Sequence, residues 1–147
     1  MSKTKSRAGE AMKALRRKLG QDSIVDDERL LAQFGGDKWF AHRQPDLAIF
    51  PKTTAEVAEV MKVAAECRLP VTMRGAGYGY VGGCVPAKGG IVLAMERMNQ
   101  IKEINSSDFV AVVEPGVITG DLQMAVREKG LFYPPDPASL KHCSIGG

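Results

Sequence analysis

The 147 residues predict an α+β fold: a first βαβ subdomain followed by the start of a second subdomain. Three observations predict it. Short apolar runs bounded by proline or glycine recur at Leu47–Phe50, Val71–Met73, Gly90–Ala94 and Phe109–Val113, as buried strands require. Between the first two, the sequence from Thr53 has helical periodicity, which makes strand–helix–strand a parallel crossover unit. Gly75, Gly77, Gly79, Gly82 and Gly83 then crowd the segment after the second run, where ligands bind in open α/β sheets.

Each element has its own signal. Residues 8–19 read as a basic amphipathic helix with Ala8, Ala11, Met12, Leu15 and Leu19 on one stripe and Gly20 as its stop. A solvated helix packed on the domain is preferred over a membrane or partner contact, so any membrane contact is peripheral. Asp26, Asp27 and Glu28 before Arg29–Leu31 predict a short helix with acid at the end its dipole favours, ended by Gly35 and Gly36. Trp39 and Phe40 are expected as apolar anchors of an otherwise polar segment. Residues 1–44 thus form an N-terminal helical segment, and 45–147 the domain proper.

Thr53 and Glu56 form a capping-box pair, followed by Val57, Val60, Met61, Ala64 and Ala65 as the inward stripe and Pro70 beyond the end. Met98–Ile104 turns into an extended piece, and Phe109–Val113 is rich in β-branched residues. A helix is predicted from Thr119 to Lys129, with Leu122, Met124, Ala125 and Val126 as its apolar residues and Gly130 at its C-terminal stop. Leu131–Tyr133 reads as extended and Pro134–Pro137 as a rigid loop. Ile145-Gly146-Gly147 resembles the middle of a second glycine turn, so the chain is expected to be an N-terminal fragment.

Composition narrows the function. Seven of the 20 Lys and Arg residues lie in residues 1–20 against Glu10 alone, which leaves a net charge of −3 for residues 21–147. A mildly acidic body argues against nucleic acid as a partner. Three widely spaced cysteines, Cys67, Cys84 and Cys143, suggest neither a disulfide framework nor a zinc site, and no metal ligands are assigned. With no apolar leader-like run after Met1, a reducing, cytoplasmic location is the expectation.

The glycine segment carries the chemistry. Backbone without Cβ atoms adopts φ > 0 and lets a ligand approach its N–H groups, and successive N–H groups form an anion-binding concavity. A flexible linker would be polar, whereas this segment has apolar flanks. Gly77-Tyr78-Gly79-Tyr80-Val81-Gly82 fits G-x-G-x-x-G, with Glu96 where an acidic ribose ligand would stand. That fingerprint needs a helix after its third glycine, and Gly82-Gly83-Cys84-Val85-Pro86 cannot propagate one. Strand, long glycine loop, strand is the better description, with the loop wrapping a pyrophosphate.

Three segments in order carry a family resemblance: Pro70-Val71-Thr72-Met73-Arg74-Gly75-Ala76-Gly77 continuing to Gly82–Pro86; Val113–Val117 leading to Asp121-Leu122; and Tyr133–Ser139 with Ser144–Gly147. Together they resemble the FAD-binding (PCMH-type) domain of the vanillyl-alcohol oxidase / p-cresol methylhydroxylase flavoproteins. The branch resembled is that of the glycolate oxidase FAD subunit and the D-lactate dehydrogenases, over roughly Pro45 to Gly147. The resemblance implies FAD between two α+β subdomains. Arg74, Gly75, Ala76, Gly77, Tyr78, Gly79 and Gly82 would bind pyrophosphate through backbone amides. Pro135, Asp136, Ala138 and Ser139 with Ser144, Gly146 and Gly147 would complete the cradle. Arg74 either adds a charge or forms a surface salt bridge.

Tyr78 and Val81 stand where that branch usually has threonine and serine, which leaves the backbone role intact. Tyr78 either stacks on the cofactor or, the preferred reading, covers the loop. Members with covalent flavin often carry histidine there, so FAD is expected to be non-covalent; His142 and Cys143 are read as structural. The resemblance implies an FAD-dependent oxidoreductase that takes a hydride from a 2-hydroxy acid such as glycolate or D-lactate. Its catalytic residues lie in a part this chain lacks, and an electron-acceptor protein or subunit is a possible partner. The alternative is a non-catalytic nucleotide-binding or subunit-interaction module. Weak FAD retention is expected of these residues alone.

Overall fold

The computed structural model describes residues 3–147. Helix α1 spans Lys3–Leu19, longer than the stripe alone predicts. Ala8, Ala11 and Leu15 are buried, with Met12 and Leu19 packed beside them, so the apolar stripe faces the core rather than a membrane. Burying Leu15 completely contributes about 1.5–3 kcal/mol. Arg16 pairs with Asp26 at 3.0 Å, and Lys18 reaches Glu59 on helix α3 (Thr54–Glu66). Among the described residues no helix is long and apolar enough to cross a membrane.

Strand β1 (Ile24–Val25) lies antiparallel to β2 (Leu47–Ile49), so residues on both sides of position 45 share one sheet. Short helix α2 (Glu28–Leu31) is capped by Asp27, whose carboxylate accepts the N–H groups of Arg29 and Leu30. The crossover from β2 through α3 to β3 (Val71–Arg74) forms as expected, with one difference. β2 and β3 are not neighbours, because β4 (Ile91–Ala94) lies parallel between them and bonds to both. The reason is apolarity. β4 is buried at every position and gains most from the centre, whereas β3 ends in the half-exposed Met73 and Arg74 and takes the edge.

Strand alternation divides the core. Leu47, Ile49, Ile91 and Leu93 meet α1 and α3, while Ala48, Phe50 and Ala94 meet Leu31 and Phe34. On α3 the buried set is Val60, Val63 and Ala64; the predicted Met61 and Ala65 face solvent. The helix is rotated toward α1, which sequence periodicity on α3 alone does not reveal. Its capping box is also displaced by one residue. Thr53 Oγ1 accepts from Glu56 N–H at 3.2 Å, but the Glu56 carboxylate accepts from Lys52 N–H, at 2.6 Å, rather than from Thr53 N–H.

The second part is a bulged antiparallel hairpin, β5 (Ile101–Asn105) with β6 (Val110–Val113), packed on α4 (Thr119–Arg127). Val117, Leu122 and Val126 form its small core with Ile104, Ala111 and Val113. β6 starts one residue later than predicted, because Phe109 turns the chain at φ 57°. Leu131–Tyr133 is no strand, although Leu131 and Tyr133 pack on this core.

Glu114 closes the open end of the β5–β6 hairpin. Its side chain accepts from Gln100 N–H at 3.0 Å and pairs with Lys102 at 3.0 Å, and these bonds hold its carboxyl below the ordinary 4.5. A depressed carboxyl stabilises the fold above its unfolded value, and that contribution disappears as pH falls through the lower folded value. Glu59 is depressed too, first by the hydrogen bond from Lys18 and then by that from Lys62. Thermal midpoints measured from pH 7 to pH 3 are therefore expected to fall less steeply with acid in Glu114→Gln than in the wild type. Parallel profiles would show that Glu114 contributes nothing to the pH dependence.

Candidate functional site

The connection from β3 to β4, residues 75–90, contains no helix; it leaves the carboxyl end of β3 and returns to the amino end of the parallel β4. Its glycines border a cleft of about 250 Å³, whose opposite wall is Cys143, Ser144, Gly146 and Gly147. The first wall is Gly75 to Gly79 with Val81, Gly83 and Cys84. No acidic or basic side chain lines it.

The walls meet through a backbone N–H and a serine hydroxyl, with glycine backbone close beside them. Ser144 Oγ accepts the N–H of Ala76 at 2.9 Å and donates to Gly146 O at 2.7 Å. A Cβ on Gly75 would stand 2.2 Å from both Gly146 O and Ser144 Oγ, so only glycine permits this approach. The second wall is fixed in turn: Ile145 N–H donates to Val117 O and Gly146 N–H to Pro115 O, each at 2.8 Å. The motif Glu114–Val117 thus acts as the seat of that wall.

Among the described residues, the backbone N–H groups of Gly75, Gly77, Tyr78, Gly79, Val81, Gly83 and Cys84 have no protein acceptor. Seven unpaired donors on a wall without carboxylates are suited to an anion held without a metal. No cluster of three His, Cys, Asp or Glu occurs among the described residues. All three cysteines are free. Burial raises the Cys67 thiol above its ordinary range, first among its causes.

The predicted site residues divide by role. Gly75, Ala76, Gly77, Tyr78, Gly79, Ser144, Gly146 and Gly147 come together on the cleft. Gly82 does not line it, and its N–H is taken by Asp37 Oδ2 at 2.8 Å. Arg74 is neither in the cleft nor in a salt bridge. Its Nη1 donates to Gly36 O at 2.5 Å and to Cys84 Sγ at 3.3 Å, and its guanidinium lies under Gly77. Pro135, Asp136, Ala138 and Ser139 are not among the walls. Pro135 O accepts from Gln123 Nε2 at 2.7 Å, and Ser139 O accepts from the N–H groups of His142 and Cys143. That segment shapes the turn leading into the second wall.

Tyr78 links the glycine loop to the segment before the second wall. Its ring stacks on His142 with centroids 5.1 Å apart and planes 9° from parallel, and Lys38 Nζ stands 4.3 Å from its centroid. Trp39 and Phe40 are exposed and do not anchor their segment, because polar bonds from residues 36–38 already do so. Asp37 and Lys38 are the participants the sequence reading missed. Asp after Gly-Gly is a turn signal, but nothing local says which distant loop it meets.

The chain is similar to known proteins in both sequence and fold. The family described as FAD binding domain matches residues 45–147. The glycolate oxidase subunit GlcD of Bacillus subtilis (strain 168) is 48% identical over 103 residues, covering 70% of this chain and 22% of that protein. A D-lactate dehydrogenase of Anaerostipes hadrus is 36% identical over 108 residues, covering 74% and 22%. Among solved structures, p-cresol methylhydroxylase with substrate bound superposes at a TM-score of 0.75 and 24% identity, covering 86% of this chain and 25% of that one. The chain spans about a quarter of the length of such relatives.

Proposed function

The chain belongs to the FAD binding domain family, and on that premise we propose that it forms the diphosphate-binding part of a flavin-dependent oxidoreductase acting on a 2-hydroxy acid. The seven unpaired amides bordering a cleft without carboxylates carry the reading. Gly77, Tyr78 and Gly79 hold one side of the diphosphate, Gly83 and Cys84 the next, and Ser144–Gly147 close the opposite side. A cleft of about 250 Å³ admits part of a dinucleotide, below the roughly 300–1,000 Å³ of sites that enclose a drug-sized ligand. When bound, FAD supplies the acceptor for a hydride leaving a hydroxyl-bearing carbon.

Attachment is non-covalent at Tyr78, whose ring stacks on His142 and has Lys38 Nζ 4.3 Å from its centroid. The substrate class follows the relatives named for glycolate and D-lactate, and the relative named as a subunit supports an electron-accepting partner protein. No residue of the cleft is a general base: no histidine, carboxylate or lysine lines it.

Cys84 and Cys143 report on the site because they line opposite walls. In the full-length protein, FAD is expected to slow alkylation of both thiols severalfold while leaving Cys67 unchanged, with bound flavin released on denaturation. A colourless protein whose thiols react at the same rate with and without FAD would favour a non-catalytic module instead.

A further inference from the structure

Three consecutive residues, outside the matched 45–147 region, grip the glycine loop from behind. Gly36 O accepts from Arg74 Nη1 at 2.5 Å, Asp37 Oδ2 accepts from Gly82 N–H at 2.8 Å, and Lys38 N–H donates to Gly79 O at 3.0 Å. The last two bonds pin the chain on either side of the exposed tip Tyr80–Val81. The grip is itself braced. Asp37 Oδ1 accepts from Trp39 N–H at 2.9 Å, Arg43 N–H donates to Gly35 O at 2.8 Å, and Gly36 bridges to His42.

We propose that Gly36–Lys38 is a positioning strap that preorganises the glycine loop for its ligand, with Asp37 as the residue on which it turns. The ligand's identity rests on the FAD reading above; the strap does not. A glycine-rich loop has more backbone freedom to lose than any other. Freedom removed when the chain folds is not removed again on binding, so affinity rises without any new ligand contact. The strap does this with no charge in the cleft. Asp37 and Arg74 both bond to the loop or its flank from outside, and neither lines the cleft walls. Asp37 is therefore an indirect residue: it consumes the Gly82 donor and leaves the Gly77–Gly79 amides free.

The test compares Asp37→Ala and Asp37→Asn with the wild type in the full-length protein, using FAD as the probe. Flavin fluorescence quenching gives the dissociation constant, and amide hydrogen exchange of residues 75–84 without added FAD gives the loop's order. Asp37→Ala loses both acceptor oxygens and is expected to weaken FAD about tenfold and to speed exchange in 75–84. Asp37→Asn keeps one acceptor oxygen and is expected to fall between. Exchange in α1 and β4 unchanged would show the effect to be local. Wild-type exchange and wild-type affinity in both variants would overturn the strap. If the wild type itself binds no FAD, the FAD reading fails, and the exchange experiment alone still decides the strap: faster exchange upholds it, unchanged exchange refutes it.

Discussion

Replacing Gly75 by alanine is expected to weaken FAD binding by at least about 100-fold, equivalent to roughly 2.7 kcal/mol, in a protein that still folds. Its new Cβ would stand 2.2 Å from Gly146 O and from Ser144 Oγ. Those atoms belong to the opposite wall, so the wall must retreat. Retreat breaks the Ala76–Ser144 bond and strains the Gly146–Pro115 bond behind it. The sheet is spared, because Gly75 follows the last paired residue of β3, Arg74. Gly83→Ala is the control. It stands in the same motif and lines the same cleft, but its Cβ would meet nothing within 4 Å. Affinity is expected to stay near wild type there. Gly77→Ala should resemble Gly75→Ala, since its φ is +72° and its Cβ would strike the Arg74 guanidinium. Equal affinities for the Gly75 and Gly83 variants, by flavin titration, would remove the argument that backbone contact builds the cleft.

That contrast bears on how much of the site was legible in the sequence. The motif marks five glycines alike, yet only Gly75 and Gly77 among them would place a Cβ within 3 Å of another atom. Local composition records backbone freedom; it does not record which neighbour arrives. Strands β2 to β6, the capped helix after Thr53 and the glycine loop were readable because each is written in adjacent residues, whereas two-residue β1 has too little apolar sequence to announce itself. The position of β4 between β2 and β3 was not, since strand order is decided by which run gains most from burial on both faces. Arg74 shows the same limit. Charge and position suggested a phosphate or a surface acid, whereas its partner is the Gly36 carbonyl, 38 residues away. The family resemblance survived comparison with known proteins because it rested on three ordered segments rather than on any single glycine.

For stability the largest effect is expected outside the cleft, at Gly90→Ala, with a loss of roughly 3–5 kcal/mol. Gly90 opens the central strand at φ +78°, and a Cβ there would lie 2.3 Å from Pro70 O. Pro70 O is the acceptor for Ile91 N–H at 2.9 Å, and Gly90 O accepts from Asp46 and Leu47. Three bonds that register β4 between its neighbours therefore depend on that approach. The left-handed conformation alone accounts for about 1–2 kcal/mol with an alanine; displaced backbone bonds supply the rest. Gly130→Ala isolates the first part, because its φ is +74° with nothing within 4 Å. In a chain of this size the Gly90 variant should melt about 10 °C below the wild type, and the Gly130 variant only a few degrees below. Matching midpoints would mean that β3 and β4 can part at Pro70 without loss, which a buried central strand held by those bonds does not permit.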